Sequence, residues 1–136
     1  MENLKAQLFT DGGSRGNPGP AGIGWAIWIE DRRKIGGQHI GIATNNVAEY
    51  QALIRGLEEC SKLGIQIVDC FLDSNLVVNQ MKGLFKIKQV HLAILAQQAK
   101  DIALRFVSVS YTYIPREKNT LADKMANKAL DKHLNN

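Results

Sequence analysis

The sequence has few of the residues that cross-link a chain. Its 136 residues include two cysteines, Cys60 and Cys70, and neither belongs to a CxxC pair or a histidine-rich cluster. The chain therefore predicts neither a zinc site nor a disulfide scaffold, although a Cys60–Cys70 bridge stays open at this stage. A chain of this length can bury a core without such links. We expect one domain over residues 1–136, in a reducing compartment.

Long apolar runs and a strong excess of charge are also missing. No run approaches the roughly 18 apolar residues of a membrane span, and residues 1–5 lack the pattern that begins a signal peptide. Seventeen Lys and Arg against thirteen Asp and Glu give a net charge of +4, a mild excess that does not indicate a polybasic tail. We therefore expect a cytoplasmic protein without a membrane partner, and polyanion binding is permitted. We also expect a monomer.

The hydrophobic pattern changes period along the chain. Strand-like patterns cover residues 4–10, 23–30, 34–42, 65–72 and 107–113. Helical spacing of apolar residues covers residues 45–63, 74–81, 89–103 and 120–133. The order β-β-β-α-β-α-α-β-α predicts an antiparallel meander followed by parallel strands that are reached through helices.

Glycine, proline and asparagine mark the ends of these elements. Residues 12–20 are so rich in Gly and Pro that we expect a loop there, with Asp11 ending the first strand. Asn45 or Asn46 is a candidate cap for the long helix, and Gly64 is expected to end it. Asn119 is the expected cap of the last helix.

Four carboxylates stand at element ends. If the first and fourth strands are parallel neighbours, Asp11 and Asp73 meet at their carboxyl ends, where open α/β sheets place their sites. Glu49 and Asp123 lie in first helical turns. Each alone could serve only as a turn, cap or helix-dipole residue. Together they would repel one another unless divalent cations lay between them, and hard oxygen ligands favour Mg²⁺ or Mn²⁺.

Four segments resemble, in order, the motifs of the type 1 ribonuclease H family. They are residues 11–22 (DGGSRGNPGPAG), 44–49 (TNNVAE), 73–75 (DSN) and 119–123 (NTLAD). The similar region extends over residues 4–131. The resemblance implies an α/β fold, with a five-stranded mixed sheet of three antiparallel and then two parallel strands, flanked by helices on both faces.

The resemblance also implies hydrolysis of the RNA strand of an RNA/DNA hybrid by an endonuclease that leaves 5′-phosphate products. Asp11, Glu49, Asp73 and Asp123 match the catalytic, metal-binding carboxylates of the family. In those roles Asp11 would bridge two ions, Glu49 and Asp73 would hold one, and Asp123 would hold the other. Two divalent cations held in this way activate water and stabilise the leaving oxygen.

Five further residues are expected to bind substrate. Asn17, Thr44 and Asn45 match positions that line the nucleic-acid groove in the family, and Asn75 matches a position that helps to read the RNA strand. Asparagine offers a donor and an acceptor for 2′-hydroxyls and base edges, and Thr44 offers a hydroxyl to a phosphate. Arg116 is expected to stabilise charge beside the site. Capping remains the alternative role for Asn45 and Asn46.

Two departures from the family pattern bear on activity. Many members carry a His in the loop before the last Asp, but residues 114–119 contain none, and Arg116 cannot shuttle protons near neutral pH. Residues 82–88 (KGLFKIK) stand where some members insert a basic protrusion, so the chain resembles the compact branch of the family. Its three lysines around Phe85 suit phosphate contacts, or else a solvated junction with Phe85 partly packed.

Two alternatives to this function stay open. The chain could be a nucleic-acid-binding domain of the same fold with weakened chemistry, as the absent His suggests. It could also be a nuclease that accepts double-stranded RNA, because both duplexes present 2′-hydroxyls across a shallow minor groove. Elsewhere, Trp25 is expected in the core, and the position of Trp28 is undecided. A turn is expected at residues 31–33, and Arg32–Lys34 are expected to form a solvated hairpin end.

Overall fold

A computed structural model describes residues 3–134, so two residues at each end of the predicted domain lie outside it. The strands are β1 (Lys5–Ser14), β2 (Gly19–Ile29), β3 (Arg32–Ala43), β4 (Ile67–Leu72) and β5 (Ser108–Tyr113). The helices are α1 (Asn45–Lys62), α2 (Asn75–Met81), α3 (Val90–Ala103) and α4 (Thr120–Leu134), with a 3-10 turn at Arg116–Lys118. The element order is the one predicted from the hydrophobic period.

One mixed sheet contains all five strands in the order β3-β2-β1-β4-β5. β1 pairs antiparallel with β2, and β2 pairs antiparallel with β3. β1 pairs parallel with β4, which pairs parallel with β5. This topology confirms the predicted fold class. It also places Thr10 opposite Leu72, so that Asp11 and Asp73 follow at the same edge of the sheet.

The two faces of the sheet carry different helices. A side chain at Gly12 would meet α1, whereas a side chain at Gly24, opposite Asp11, would meet α4. Successive strand residues face opposite sides, so α1 and α4 lie on opposite faces. The main core fills the α1 side, where Leu8 and Ile27 are fully buried and Trp25 is 7% exposed. The core position predicted for Trp25 is confirmed.

The glycine-rich segment after Asp11 is mostly strand. β1 continues to Ser14, with Gly12 paired to Ile23, and β2 begins at Gly19, which leaves residues 15–18 as the connection. The predicted loop over residues 12–20 was therefore wrong at both ends. The reason is packing, because a Cβ atom at Gly12 would lie 2.2 Å from the carbonyl oxygen of Ala48. Glycine within a strand often marks such a close approach.

Two other element ends differ from the predictions. The hairpin turn lies at residues 30–31, where Glu30 has a φ of 57°, one residue earlier than expected. Thr44 caps α1, because its Oγ1 accepts a hydrogen bond from the Val47 amide at 3.3 Å. Capping by Asn45 or Asn46 was therefore wrong. Gly64 follows the end of α1 with a φ of 75°, as expected.

Two expectations drawn from absences can be compared with the described residues. Cys60 and Cys70 are both buried and free, so they form no bridge here. None of the helices within residues 3–134 combines the length and apolar character needed to cross a bilayer. The cytoplasmic location stays a prediction.

Candidate active site

Three carboxylates from distant parts of the chain meet at the carboxyl edge of β1 and β4. Asp11, Glu49 and Asp73 each contribute one oxygen to a group whose atoms all lie within 4.8 Å of one another. Asp11 is 9% exposed and Glu49 is 7% exposed, whereas Asp73 is half-buried. The parallel pairing of β1 with β4 brings Asp11 and Asp73 together.

Glu49 reaches this edge because α1 packs directly on β1. The missing side chain at Gly12 lets the backbone of Ala48 and Glu49 approach the strand, where a Cβ atom would lie 2.8 Å from the Glu49 nitrogen. Thr44 fixes the start of the helix by capping it. A strand glycine and a helix cap thus set the position of the second carboxylate.

Asp123, in the first turn of α4, lines the same cavity from the other side. The cavity has a volume of about 610 Å³. Its lining also includes Ser14, Arg15, Asn45, Asn46, Ser74, Arg116 and Asn127. Asp123 does not belong to the 4.8 Å group, so the four predicted carboxylates divide into a cluster of three and a fourth that interacts with Asp11 from α4.

The cluster is electrostatically strained when it is fully ionised. Burial, with the nearby charge of Asp73 and a contribution from Asp123, raises the pKa of Asp11 to about 7. Burial, and then the charge of Asp11, raises the pKa of Glu49 well above its usual range. A hydrogen bond with the Gly12 backbone acts in the opposite direction and lowers this pKa. Carboxylates gathered without a cation favour their protonated form.

A buried asparagine supports the cluster from behind. Asn119 is 1% exposed, and its Nδ2 donates to the Thr10 carbonyl oxygen at 2.8 Å and to Asp73 Oδ2 at 2.9 Å. The backbone carbonyl oxygen of Asn119 accepts a hydrogen bond from the Asp123 amide at 3.2 Å, so the residue stands at the start of α4. Asn119 had been predicted to cap α4, but its side-chain oxygen makes no capping hydrogen bond. The side-chain amide holds Asp73 and β1 instead.

Asp123 has its own partner one helical turn further along. Asn127 Nδ2 donates to Asp123 Oδ1 at 3.2 Å and to its carbonyl oxygen at 3.1 Å. The Oδ1 atom of Asn127 in turn accepts from Arg15 Nη2 at 3.4 Å, and the same Nη2 lies 2.7 Å from Asp131 Oδ1. The residues after β1 are thereby joined to the face of α4 that carries Asp123.

Comparison with known proteins places this fold in a family. The model of the family described as "Reverse transcriptase-like" matches residues 9–129. A ribonuclease HI of Halobacterium salinarum is 40% identical over 129 residues, which cover 93% of this chain and 65% of that protein. The chain belongs to the type 1 ribonuclease H family. The fold predicted from the sequence is that of this family.

Solved structures of ribonuclease H proteins superpose closely on this chain. The N-terminal ribonuclease H domain of a Mycobacterium tuberculosis protein has a TM-score of 0.92 at 45% identity, with 96% of each chain covered. LC11 ribonuclease H1 in complex with an RNA/DNA hybrid has a TM-score of 0.90 at 42% identity, covering 95% of this chain and 99% of that one.

The chain spans only part of some relatives. A bifunctional protein of Mycobacterium tuberculosis is 47% identical over 131 residues, which cover 94% of this chain but 36% of that protein. The similarity therefore concerns the ribonuclease H part of that relative.

Two of the five expected substrate-binding residues line the cavity, and three lie outside its lining. Asn45 and Arg116 line it. The Oδ1 atom of Asn17 accepts from the Asn45 amide at 3.0 Å, Thr44 caps α1, and Asn75 Oδ1 accepts from Asn79 at 2.9 Å. Asn45 Oδ1 accepts from the Ser14 amide at 2.9 Å, so its side chain joins α1 to the end of β1.

Sequence reasoning missed the residues that support the carboxylate cluster. Asn119 was treated as a cap, and nothing in a single sequence shows that its amide faces a strand. Asn127 could have been found, because it lies four residues after Asp123 and therefore on the same side of the helix. Arg15 carries no such signal, since its partners lie more than 100 residues away.

Proposed function

We propose that this chain is a divalent-metal-dependent endonuclease that hydrolyses the RNA strand of RNA/DNA hybrids. The observation that carries the proposal is the meeting of Asp11, Glu49 and Asp73 within 4.8 Å, in a cavity that Asp123 also lines. The solved complex of LC11 ribonuclease H1 with a hybrid supports the substrate class by similarity.

The residues present fit a pair of divalent cations. Glu49 Oε2 is buried and has no hydrogen-bond partner. Within residues 3–134, no Lys or Arg forms an ion pair with any of the four carboxylates. A buried carboxylate oxygen without a partner is costly. A hard cation such as Mg²⁺ or Mn²⁺ would satisfy it and remove the repulsion within the cluster.

The arrangement indicates which carboxylates would bind each of the two ions. Asp73, Glu49 and Asp123 all influence the pKa of Asp11, so Asp11 is central among them. Asp11 would help to hold both ions, Glu49 and Asp73 would hold one, and Asp123 would hold the other. When bound, such ions activate water and stabilise the leaving oxygen of a phosphodiester, which gives 5′-phosphate products.

The polar residues around the carboxylates would bind and orient the substrate. Asn45, which Ser14 and Asn17 hold in place, can present its amide to sugar hydroxyls in the groove. Arg116 lines the cavity and can stabilise phosphate charge, but its fixed protonation makes it a poor substitute for a histidine that moves protons. Asn75 and Thr44 remain proposed contacts at the rim.

A second groove beside the cavity suits the other strand of the hybrid. It has a volume of about 350 Å³, and Phe85, Lys86 and Lys88 are among its lining residues. Asn46 lines both this groove and the carboxylate cavity. Phe85 is 44% exposed, so it is available to a ligand as well as partly packed. We propose that this segment contacts DNA phosphates in place of a basic protrusion.

We propose that a monomer is active, because one chain is sufficient to bring all four carboxylates to the cavity. A cleavage panel tests the whole proposal. Labelled RNA/DNA hybrid, duplex RNA and duplex DNA are incubated with the protein and with its Asp11→Asn variant, in Mg²⁺, in Mn²⁺ and in EDTA. We expect cleavage of the hybrid by the unaltered protein with either metal, and none in EDTA or by the variant.

The same panel separates the alternatives. Hybrid that is bound but never cut, with either metal, would contradict the nuclease and favour a binding domain with weakened chemistry. Duplex RNA cut as fast as the hybrid would show a wider substrate range. Unchanged turnover in the Asp11→Asn variant would overturn the assignment of the site.

A further inference from the structure

Two of the three histidines lie face to face on the side of the sheet that α4 covers. The imidazole of His39, on β3, stacks on that of His133, in the last turn of α4. The ring centroids are 3.5 Å apart, and the ring planes differ by 9°. Aromatic pairs usually keep their centroids about 4.5–7 Å apart, in offset or edge-to-face arrangements. The two imidazoles are therefore closer and more nearly parallel than most packed rings.

A glycine on the neighbouring strand allows this approach. His39 is paired with Gly22 on β2, so both positions face the same side of the sheet. A Cβ atom at Gly22 would lie 2.7 Å from the Ala126 carbonyl oxygen and 2.9 Å from Leu130 Cγ, so α4 runs directly over this pair. His133 follows Leu130 by three residues and lies on the same side of the helix. The tertiary structure thus brings together two histidines from distant parts of the chain.

The separation of the rings suits two ligands of one metal ion. Zn²⁺ binds imidazole nitrogen at about 2.0–2.1 Å, so two such nitrogens on a tetrahedral ion are about 3.3 Å apart. Imidazole suits Zn²⁺, Ni²⁺ and Cu²⁺, whereas Mg²⁺ prefers oxygen ligands. A small opening of the stacked rings would direct one nitrogen of each at a shared ion, and water would complete its coordination.

The end of α4 provides a favourable field for a cation. The carbonyl groups in the last turn of a helix have no partners within the helix, and they carry partial negative charge. His133 lies in that turn. Asp131, two residues earlier, is paired with Arg15, whose Nη2 lies 2.7 Å from Asp131 Oδ1. The donor set at this place is therefore imidazole nitrogen, unlike the carboxylate oxygens around Asp11.

We propose that His39 and His133 bind a divalent transition-metal ion, with Zn²⁺ as the representative, which joins β3 to the end of α4. Asp123 lies ten residues before His133 on the helix, so the proposed site is about 15 Å from the carboxylates. The ion would clamp the helix that carries Asp123 against the sheet. This binding does not depend on the proposed nuclease activity.

Isothermal titration calorimetry with ZnCl₂ tests the proposal. The His39→Gln and His133→Gln variants each remove one imidazole. His91→Gln is the matched control, because His91 is exposed on α3 and belongs to neither element. Excess MgCl₂ is present, so that a hard cation competes for the carboxylate oxygens. Thermal melts of the four proteins, with and without ZnCl₂, show whether the ion stabilises the fold.

We expect Zn²⁺ to bind the unaltered protein and the His91→Gln variant, and to bind each of the other variants at least about tenfold more weakly. Each of them loses one of only two protein ligands, and a tenfold loss corresponds to about 1.4 kcal/mol. Zn²⁺ should raise the melting temperature of the first two proteins more than that of the others. Because His133 is exposed, its replacement should leave the fold intact even if that of the half-buried His39 does not.

Three results would overturn the proposal. They are the absence of Zn²⁺ binding, equal affinity in all four proteins, and a loss in the His91→Gln variant as large as in the other two. Equal affinity would be the result of Zn²⁺ that displaces Mg²⁺ from the carboxylates.

Hybrid cleavage in Mg²⁺ without Zn²⁺ is measured on the same variants and should be unchanged. This readout separates the two proposals, because both histidines lie away from the carboxylates. Failure of cleavage with intact Zn²⁺ binding would count against the proposed function alone.

Discussion

The side-chain amide of Asn119 holds Asp73 by a 2.9 Å hydrogen bond, and the same amide holds the carbonyl oxygen of Thr10 on the neighbouring strand. One buried residue at the start of α4 thus fixes both strand ends that carry carboxylates. The contact joins residues 46 positions apart in the sequence. Asn119 is a positioning residue in this arrangement, acting on the cluster through Asp73.

Replacing Asn119 with Ala should weaken both the fold and the site. The change leaves a buried carbonyl oxygen and a carboxylate without their donor, which costs about 1–3 kcal/mol of unfolding free energy. Asp73 would also become less well oriented, so the Mg²⁺ concentration for half-maximal hybrid cleavage should rise. Urea denaturation and metal titration of activity measure the two effects. Loss of stability with an unchanged metal requirement would show a purely structural role.

Metal-free protein should become less stable as pH rises from about 4 to about 7. Asp11 has a normal pKa of 3.8 when unfolded and about 7 when folded, so the folded state binds more protons between these values. Its favourable contribution is complete below pH 3.8 and is lost as pH rises through the folded pKa. Glu49 changes in the same direction.

The Asp11→Asn variant isolates this effect, because an amide stays neutral at every pH. Near pH 8 the variant should be more stable than the unaltered metal-free protein by roughly 2–4 kcal/mol, and near pH 3 the two should agree. Denaturant midpoints in EDTA across this range provide the measurement. A difference that does not change with pH would contradict the raised pKa. Added Mg²⁺ should stabilise the unaltered protein and not the variant.

Gly12→Ala should push α1 away from β1. The new methyl carbon would lie 2.2 Å from the Ala48 carbonyl oxygen, a backbone atom that cannot rotate aside. Overpacking of this kind costs about 1–3 kcal/mol, and the shift would carry Glu49 away from Asp11. Gly13→Ala is the control for stability, since its Cβ atom would lie 3.6 Å from the nearest atom. Equal melting temperatures for the Gly12→Ala and Gly13→Ala variants would refute the packing argument.

Both cysteines should resist modification in the native protein. Burial, with the charge of Glu59, raises the pKa of the Cys60 thiol to about 12, and burial raises that of Cys70 well above its usual range. Because thiolate is the reactive form, a thiol reagent at pH 8 should label neither residue until the chain unfolds. Mass spectrometry before and after urea addition measures this. Rapid labelling of the native protein would be the contrary result.

The fold could be predicted largely because its patterns are local. Alternation over β2 and helical spacing over α1 follow from burial of one face, and Gly64 ends a helix because it adopts a positive φ. The glycines after Asp11 misled the same reasoning. Local rules associate glycine with turns, whereas Gly12 serves a contact with a helix whose approach is set by tertiary packing.

The site was predictable at the level of residues that matched family motifs, and less so at the level of their supports. Asp11, Glu49 and Asp73 were named and lie together, and Asp123 lines the same cavity. Thr44 and Asn45 also have structural partners that the sequence did not predict, because their side-chain oxygens compete for backbone donors: Thr44 Oγ1 accepts from the Val47 amide and Asn45 Oδ1 accepts from the Ser14 amide. Such competition depends on where the end of β1 lies, which the sequence does not specify.

Helix α4 is the most carboxyl-terminal of the described elements, and it supplies Asp123 together with the asparagine that steadies Asp73. A ribosome releases these residues only after the sheet and the first three helices have already emerged. A chain synthesised only as far as β5 would therefore lack Asp123, a proposed ion ligand, and Asn119, the brace for another. Synthesis itself would thereby delay the proposed nuclease activity until residues 119–134 have left the ribosome.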